Sequence, residues 1–401
     1  MSRPTRTPLS DSLKQLVGRP ATAIDTPALV VDLDAMQRNL SRMAEFCRKH
    51  AIRWRPHAKM HKSAAIARLQ VQAGAVGVCV QKTAEAEAMA DGGVMDVYIS
   101  NEVVAPQKLA RVAHLAHRLA SEGGQLAIAV DSRVGIERLA QAMNDARRAG
   151  REGAAPAVID VFVEIDVGQG RCGVPPGRAA VDLVHEIRKH PALRFAGLQA
   201  YHGKAQHIRS AVERRETIAR AAQDAALTCR QIEAEGIPVG LITGAGTGSL
   251  VAEAASGVYG ELQAGSFLFM DADYAQNERD PAQPQFEHAL FVKTQVMSSG
   301  AEHAVCDAGH KSHAIDSGLP KVHAFDGPHE LDYANGGDEH GILRPAAPGV
   351  KVPEIGRVLW LIPGHCDPTV NLHDHMVGVK GGLLEGRVDR IIRVDARGAL
   401  T

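Results

Sequence analysis

Three groups of residues in this 401-residue chain have types and spacings suited to catalysis. The first is the segment Arg55-Pro56-His57-Ala58-Lys59-Met60-His61-Lys62, which places Lys59 among basic and imidazole side chains. Desolvation and neighbouring cations lower the pKa of a lysine, and only the neutral amine condenses with an aldehyde to form a Schiff base. The alternative is a solvated basic loop. The segment makes Lys59 a candidate for covalent chemistry.

The second group is the glycine-rich segment Thr243-Gly244-Ala245-Gly246-Thr247-Gly248, which directly follows an apolar run. Glycines allow backbone N–H groups to converge on an anion, and threonine hydroxyls add further donors. On its own, the segment is equally compatible with a tight turn. Combined with a Schiff-base lysine it predicts a site for pyridoxal phosphate (PLP), because PLP needs one group for its aldehyde and another for its phosphate.

The third group is His365-Cys366-Asp367. If this segment is extended, His365 and Asp367 point to one side and Cys366 to the other. An imidazole with a carboxylate suits manganese, magnesium or zinc. Two protein ligands leave coordination positions for water or substrate, as expected of a catalytic ion. The alternative is a polar turn with incidental histidines.

The composition favours a small-molecule enzyme. The chain is 45% apolar and 23% charged, with a formal net charge of -1, and its lysines and arginines are scattered. This argues against nucleic-acid or membrane-surface partners, which require a clustered basic face. The six cysteines are widely spaced and are expected to be reduced thiols. Residues 1–20 do not resemble a signal peptide and no apolar run is long enough to span a bilayer, so we expect a cytoplasmic protein.

Short apolar strands alternate with helical segments over residues 22–272, which predicts a parallel α/β barrel. The helix over Ala35–His50 carries Met36, Leu40, Met43 and Phe46 at helical spacing. The eight predicted barrel strands are Ala28–Leu33, Arg53–His57, Val76–Val80, Asp96–Ser100, Leu126–Val130, Val158–Ile165, Phe195–Tyr201 and Gly240–Thr243.

Beyond about residue 270 the long helices disappear from the pattern, which predicts a second, all-β domain over residues 273–401 together with residues 1–21. Its predicted strands are Leu290–Met297, His303–Cys306, Val358–Ile362, Met376–Val379 and Arg387–Val394. We expect this domain to carry the metal site.

A resemblance to a known enzyme family covers nearly the whole chain. The chain resembles the D-threonine aldolases among the fold-type III PLP enzymes, which are related to D-serine and D-3-hydroxyaspartate dehydratases and more distantly to alanine racemase. The motifs that carry the resemblance are Asp25-Thr26-Pro27-Ala28-Leu29-Val30, Arg55-Pro56-His57-Ala58-Lys59, Ile99-Ser100-Asn101-Glu102-Val103-Val104, Asp166-Val167-Gly168-Gln169-Gly170-Arg171-Cys172-Gly173-Val174, Leu198-Gln199-Ala200-Tyr201-His202-Gly203, Glu261-Leu262-Gln263-Ala264-Gly265-Ser266, His365-Cys366-Asp367-Pro368-Thr369 and Asn371-Leu372-His373-Asp374.

The resemblance implies an alanine racemase-like (β/α)8 barrel with a C-terminal β-domain, in a homodimer whose site lies at the barrel mouth against the partner's β-domain. It assigns the Schiff base to Lys59, metal binding to His365 and Asp367, and proton abstraction to His207. For His207, a surface histidine is the alternative. The remaining cofactor contacts implied by the resemblance are Arg171, Tyr201, Gly244, Gly246, Thr247, Gln263, Ala264 and Gly265.

Within that set, Gln263 is expected to face the pyridine nitrogen, and the backbone of Ala264 and Gly265 to complete the phosphate cradle. One departure from the family pattern is Ala245, where relatives often have glycine. Its methyl group is tolerated in the cradle if its φ is negative.

The implied activity is PLP- and metal-dependent cleavage of D-β-hydroxy-α-amino acids, such as D-threonine, D-allo-threonine and D-phenylserine, to glycine and an aldehyde. The alternative is a D-3-hydroxyaspartate or D-serine dehydratase of the same fold, although relatives of that type tend to have His-x-Cys where this chain has His365-Cys366-Asp367. A racemase has no use for a metal. A non-catalytic PLP carrier would lack both the β-domain and the metal pair.

Overall fold

The computed structural model describes residues 10–149, 157–325 and 330–401. The helices are α1 (Asp11–Leu16), α2 (Leu33–Lys49), α3 (Ala64–Gln72), α4 (Thr83–Asp91), α5 (Pro106–Ser121), α6 (Arg133–Ala149), α7 (Arg178–Arg188), α8 (Ala211–Ala234), α9 (Leu250–Ala255) and α10 (Cys366–Val370). Short 3-10 helices cover Ala21–Ala23, Ala58–Met60, Lys204–His207, Ser266–Leu268 and Tyr274–Gln276.

The strands up to the end of the barrel are β1 (Ala28–Asp32), β2 (Arg53–Trp54), β3 (Val78–Val80), β4 (Asp96–Glu102), β5 (Gln125–Val130), β6 (Ile159–Glu164), β7 (Leu193–Gln199), β8 (Leu241–Gly244) and β9 (Glu261–Leu262). The later strands are β10 (Leu290–Ser299), β11 (Ala304–Cys306), β12 (Lys321–Val322), β13 (Leu331–Asn335), β14 (Gly341–Pro345), β15 (Val358–Ile362), β16 (His375–Lys380) and β17 (Arg387–Arg393).

The described residues form two compact units. The barrel unit contains residues 40–149, 157–267, 273–285 and 395–401, and the sheet unit contains residues 10–39, 268–272, 286–325 and 330–394. This division differs from the predicted domain bounds at both ends, because residues 22–39 group with the sheet unit and residues 395–401 with the barrel unit.

The barrel unit is built on an eight-stranded parallel sheet in the order β2-β9-β8-β7-β6-β5-β4-β3. An isolated parallel bridge between His57 and Cys79, with the Val76 N–H donating to the Trp54 carbonyl at 3.0 Å, joins the first and last strands. Strands such as β5 are almost continuously apolar and buried, as expected when both faces of a parallel sheet are covered. The predicted α/β barrel with a further β-rich unit is confirmed.

The helices of the barrel unit bury one face each. In α5, apolar residues recur three and four positions apart, Pro106 occupies the first turn, and Gly123 follows the end with φ of 80°. The buried residues of α5 are Leu109, Val112, Ala113, Leu115, Ala116 and Leu119. They join the main core of the unit.

One predicted barrel strand is wrong. The sequence predicts Ala28–Leu33 in the barrel, whereas β1 pairs antiparallel with β10 and parallel with β16 in the sheet unit. The eighth barrel strand is instead β9, which pairs with β2 and β8. It is only two residues long and contains Glu261, whose buried carboxylate pairs with Arg55. An isolated charged dipeptide carries no strand pattern, so the sequence did not identify it.

The sheet unit contains a nine-stranded sheet in the order β13-β14-β11-β10-β1-β16-β17, with β15 pairing to both β10 and β12. Its strands match the five predicted strands of the β-domain and add β12, β13 and β14. Val30, Phe291, Trp360 and Val377 belong to its buried core. All six cysteines are free thiols. No helix in the described residues is long and apolar enough to cross a membrane.

Candidate active site

Lys59 lies in the short helix Ala58–Met60, immediately after β2 in the barrel unit. His57 caps this turn, because its Nδ1 accepts a hydrogen bond from the Lys59 backbone N–H at 3.3 Å. The other ring nitrogen of His57 lies 3.3 Å from the Ser100 hydroxyl, at the end region of β4. Contacts with the end region of β4 and within its own turn therefore hold His57, which caps the backbone that carries Lys59.

The second lysine of the basic segment, Lys62, is a buried structural cation. Its ammonium group pairs with Glu85, and both side chains are almost inaccessible. The other oxygen of Glu85 accepts from the backbone N–H groups of Gln81 at 2.9 Å and Lys82 at 3.2 Å. Because Lys62 is engaged in this way, Lys59 remains the candidate for covalent chemistry.

Arg171 and Tyr201 lie together in the barrel unit, as the prediction requires of two cofactor contacts. The Arg171 guanidinium carbon lies 5.8 Å from the centre of the Tyr201 ring, in a cation–π arrangement. Arg171 also lies 4.0 Å from a carboxylate oxygen of Glu164, which ends β6. This brings a cation, an aromatic ring and a buried carboxyl group to the same region of the barrel unit.

Around Glu164 is an acidic group that we did not predict. Burial raises the pKa of Glu164 to about 9, and the nearby carboxylate of Glu102 acts in the same direction. Potential ligand atoms of Glu102, Asp131 and Cys172 lie within 4.8 Å of one another. Glu102 and Glu164 both end barrel strands, and this position was the available sequence signal. The group shares no residue with the predicted metal pair.

The predicted phosphate segment follows β8. Ala245 has φ of 71°, so the condition of a negative φ at this position is not met. A non-glycine residue in the left-handed region is strained by about 1–2 kcal/mol, and such strain collects at ligand-binding turns. At Gly244 a Cβ would meet the Ala200 carbonyl oxygen at 2.5 Å, so close backbone approach excludes a side chain there.

Buried backbone donors point to an anion site at this turn. Within the described part of the chain, the N–H groups of Thr247, Ala264 and Gly265 donate no hydrogen bond, although all three residues are buried. The Thr247 hydroxyl accepts from the Phe267 N–H at 2.9 Å and so joins the two loops. Buried N–H groups require an acceptor, and a phosphate supplies several. The predicted cradle therefore fits a phosphate group.

Gly246 contributes space to the cradle. Its N–H makes a long 3.4 Å hydrogen bond to the Ser249 hydroxyl, and a Cβ on Gly246 would meet the Gln206 amide oxygen at 2.4 Å.

Gln263 is held in a polar network inside the barrel unit. Its amide nitrogen donates to Gln199 at 2.7 Å and to the Thr243 hydroxyl at 2.9 Å, and its oxygen accepts from Gln199 at 3.3 Å. An amide nitrogen has only two hydrogens. The predicted contact with a pyridine nitrogen would require Gln263 to release one of these bonds.

His207 ends the short helix Lys204–His207 and is paired with a carboxylate. Its Nδ1 lies 2.6 Å from Asp273 Oδ2, its ring packs 5.6 Å from that of Tyr274, and its side chain is half-exposed. Although burial opposes ionisation of Asp273, its bonds with Arg209 and His207 lower its pKa overall. A carboxylate at Nδ1 orients the imidazole and leaves Nε2 to exchange protons, which is the arrangement of a general base.

The predicted metal pair lies in the sheet unit. His365 is extended and caps α10, which begins at Cys366, and His365 Nε2 lies 3.7 Å from Asp367 Oδ1. Asp271, fully buried, accepts from His365 Nδ1 at 2.8 Å. A carboxylate on one ring nitrogen fixes the tautomer that offers the other nitrogen to a metal ion. The donor set therefore fits a divalent cation.

The segment is not extended as the prediction assumed, because α10 begins at Cys366 and includes Asp367. The Cys366 thiol donates to the Met270 carbonyl at 3.3 Å, its backbone N–H donates to Asp271 at 3.1 Å, and burial raises the pKa of the thiol well above its usual value. A buried thiol of this kind resists the deprotonation that metal binding needs.

The sequence did not identify the two aspartates that orient these histidines. Asp271 and Asp273 both lie in the largely apolar run Phe267–Asp273. The sequence feature that could have identified them is the presence of two carboxylates in an apolar run, because buried carboxylates require partners.

Comparison with known proteins identifies the family. Residues 31–273 match the family model "Alanine racemase, N-terminal domain", and residues 289–379 match "Putative serine dehydratase domain". Over 382 residues, 95% of each chain, the sequence is 44% identical to D-threonine aldolase of Arthrobacter sp. Over 390 residues it is 41% identical to 3-hydroxy-D-aspartate aldolase of Paracoccus denitrificans (strain Pd 1222), covering 96% of this chain and 95% of the relative. The crystal structure of D-threonine aldolase from Filomicrobium marinum has a TM-score of 0.89 and 44% identity, covering 96% of this chain and 99% of that one.

The barrel, the lysine at a strand end and the matched domain define the class, which is that of the alanine racemase-like enzymes of fold type III. This class implies PLP as the cofactor. Within it, the chain belongs to the D-threonine aldolase family and is a carbon–carbon lyase.

Proposed function

We propose that this protein is a PLP- and divalent-metal-dependent aldolase that cleaves D-β-hydroxy-α-amino acids, with D-threonine as the reference substrate, to glycine and an aldehyde. The observation that carries the proposal is the His207–Asp273 pair, with Nδ1 and Oδ2 2.6 Å apart. Retro-aldol cleavage needs a base for the β-hydroxyl proton, and a carboxylate-oriented imidazole is suited to this task. Relatives at 44% and 41% identity are named as aldolases.

The proposal gives the following roles to the residues of the chain. Lys59 would hold the cofactor through its aldehyde, and the backbone N–H groups of Thr247, Ala264 and Gly265 would bind its phosphate. Arg171 and Tyr201 would hold the cofactor in place. When bound, PLP supplies an electron sink and the metal ion acidifies a hydroxyl group.

His207 takes the proton of the substrate hydroxyl at Nε2, while Asp273 stabilises the resulting imidazolium. His365 and Asp367 would hold the metal ion, and Asp271 orients His365. We also propose, from the family resemblance, that the protein is a homodimer.

The dehydratase alternative would favour a thiolate at the metal. Cys366 is fully buried and its thiol already donates to a backbone carbonyl, which opposes that role. Asp367 instead supplies a carboxylate, which prefers a hard cation such as manganese or magnesium.

Product analysis tests the proposal. The purified protein, supplied with PLP and manganese, is offered D-threonine, L-threonine and D-3-hydroxyaspartate, each with and without a chelator. We expect glycine and acetaldehyde from D-threonine, none from L-threonine, and loss of turnover on chelation. With D-3-hydroxyaspartate, glycine and glyoxylate would extend the aldolase to an acidic side chain. Ammonia and oxaloacetate would establish the dehydratase and refute the proposal.

A further inference from the structure

A fully buried carboxyl group lies directly behind the candidate phosphate cradle. Glu253, in α9, is 1% exposed. Its Oε1 accepts a hydrogen bond from the Ser249 hydroxyl at 2.8 Å, whereas its Oε2 has no hydrogen-bond partner among the described residues. A buried carboxyl oxygen without a donor is unfavourable when ionised. Burial therefore favours the neutral form of Glu253.

Ser249 connects Glu253 to the cradle. Its hydroxyl oxygen accepts from the Gln206 amide nitrogen at 2.7 Å and from the Gly246 N–H at 3.4 Å, so its single hydrogen points to Glu253. The Gln206 amide oxygen in turn accepts from the Gly248 N–H at 3.0 Å. Gly246 and Gly248 flank Thr247, one of the three buried donors of the cradle. The orientation of Thr247 thus depends on a network that ends at Glu253.

The groups that act on Glu253 do not neutralise it. Arg214 in α8 lowers the pKa of Glu253, but its effect is the smallest of those on this group, and its guanidinium donates to the backbone carbonyls of Ile208 and Glu278. Tyr259, which precedes β9, donates its hydroxyl to the Ala200 carbonyl at 2.9 Å. Burial raises the pKa of Glu253 to about 7, and the Ser249 bond opposes this rise. Near neutral pH, Glu253 is therefore a mixture of the neutral acid and the carboxylate.

We propose that Glu253 is a positioning residue for the cofactor phosphate, which supports the cradle as a neutral acid and weakens phosphate binding when it ionises. The proposal rests on the proposed function, since it requires the cradle to bind the phosphate of PLP. A phosphate monoester is largely a dianion at pH 7. A second negative charge behind the same three donors repels it, so binding of the phosphate is coupled to uptake of one proton by Glu253.

Pyridoxine 5'-phosphate is the appropriate probe, because it keeps the ring and phosphate but has no aldehyde to react with Lys59. Its dissociation constant is measured by calorimetry between pH 6 and pH 8 on the cofactor-free wild-type protein and on Glu253→Gln. Glu216→Gln removes a charge from the exposed face of α8 and is the matched control. The ionisation of the ligand phosphate is common to all three proteins, so the difference between them reports Glu253.

The expected result is that the wild-type constant rises about five- to tenfold more over this range than that of Glu253→Gln, with Glu216→Gln following the wild type. If Glu253→Gln does not fold, wild-type calorimetry at pH 7.5 in two buffers of different ionisation enthalpy should show proton uptake on binding. Parallel profiles, or binding without proton uptake, would overturn the proposal and leave the proposed function intact. Absence of probe binding at any pH would refute the cradle itself, and with it both proposals.

Discussion

Replacement of Asp271 by asparagine should weaken metal binding while leaving the two candidate ligands in place. Asp271 is fully buried and accepts from His365 Nδ1 at 2.8 Å and from the Cys366 N–H at 3.1 Å, both through Oδ2. An asparagine oxygen keeps the same acceptor geometry without the charge. The substitution therefore isolates the electrostatic support that Asp271 gives to His365.

The size of the effect follows from the kind of bond that is lost. A hydrogen bond to a charged group contributes about 1.5–3 kcal/mol, and a neutral one about half of that. The difference of about 0.8–1.5 kcal/mol corresponds to about 4- to 12-fold in the dissociation constant. Loss of a carboxylate partner of a metal-bound histidine typically costs about 10- to 100-fold, so we expect an effect near tenfold.

The assay is titration of metal-depleted protein with manganese, with free manganese followed by electron paramagnetic resonance. Asp316→Asn, which removes an exposed carboxylate from the same unit, serves as the control and should match the wild type. Thermal unfolding of the metal-depleted proteins separates lost affinity from lost structure. An Asp271→Asn protein that folds and binds manganese as tightly as the wild type would refute the role given to Asp271.

Three further predictions concern the barrel unit. His207→Ala should lower kcat by about 100-fold or more with little change in PLP affinity, whereas the exposed Lys204→Gln should change neither; equal turnover would remove His207 from the mechanism. Ala245→Gly should lower the free energy of unfolding, measured in urea, by less than about 0.5 kcal/mol, because glycine relieves the strain of a φ of 71° and this offsets the lost methyl burial. Ala205 is equally buried, and Ala205→Gly should lower the free energy of unfolding by about 1 kcal/mol or more. Burial raises the pKa of Glu164 to about 9 from 4.5, so between these pH values the native state keeps a proton that the unfolded chain releases. The free energy of unfolding should therefore fall as pH rises from about 4.5 to about 9. Glu164→Gln should reduce this dependence of the free energy of unfolding on pH.

Long apolar strands were predictable from the sequence, and their sheet assignment was less so. β5 and β6 were recognised because buried parallel strands are continuous apolar runs. The same pattern in β1 did not reveal which sheet it joins, since an apolar five-residue run suits either. β9 was missed because it is short and charged. The main cationic partners of its Glu261 carboxylate, Arg53 and Arg55, are more than 200 residues away in the sequence.

In the candidate site, residues close together in the sequence were identified and their distant partners were not. His365 and Asp367 form a local pair, and their side chains converge to 3.7 Å. The carboxylate that orients His365 is 94 residues away, and the one that orients His207 is 66 residues away. Spacing patterns describe neighbours on one element, whereas these partners meet only through tertiary structure.

The basic segment around Lys59 shows the same limit in its electrostatics. In the sequence, Arg55 and Lys62 are cations that favour a neutral Lys59. In the structure, Arg55 pairs with Asp96 and Glu261, and Lys62 pairs with Glu85, and all three of these ion pairs are at least partly buried. Buried cations require such partners, so their fields are largely cancelled at a distance. Arg55 and Lys62 are therefore not free cations that act on Lys59. Their ion pairs instead hold the segment around Lys59 at the end of β2.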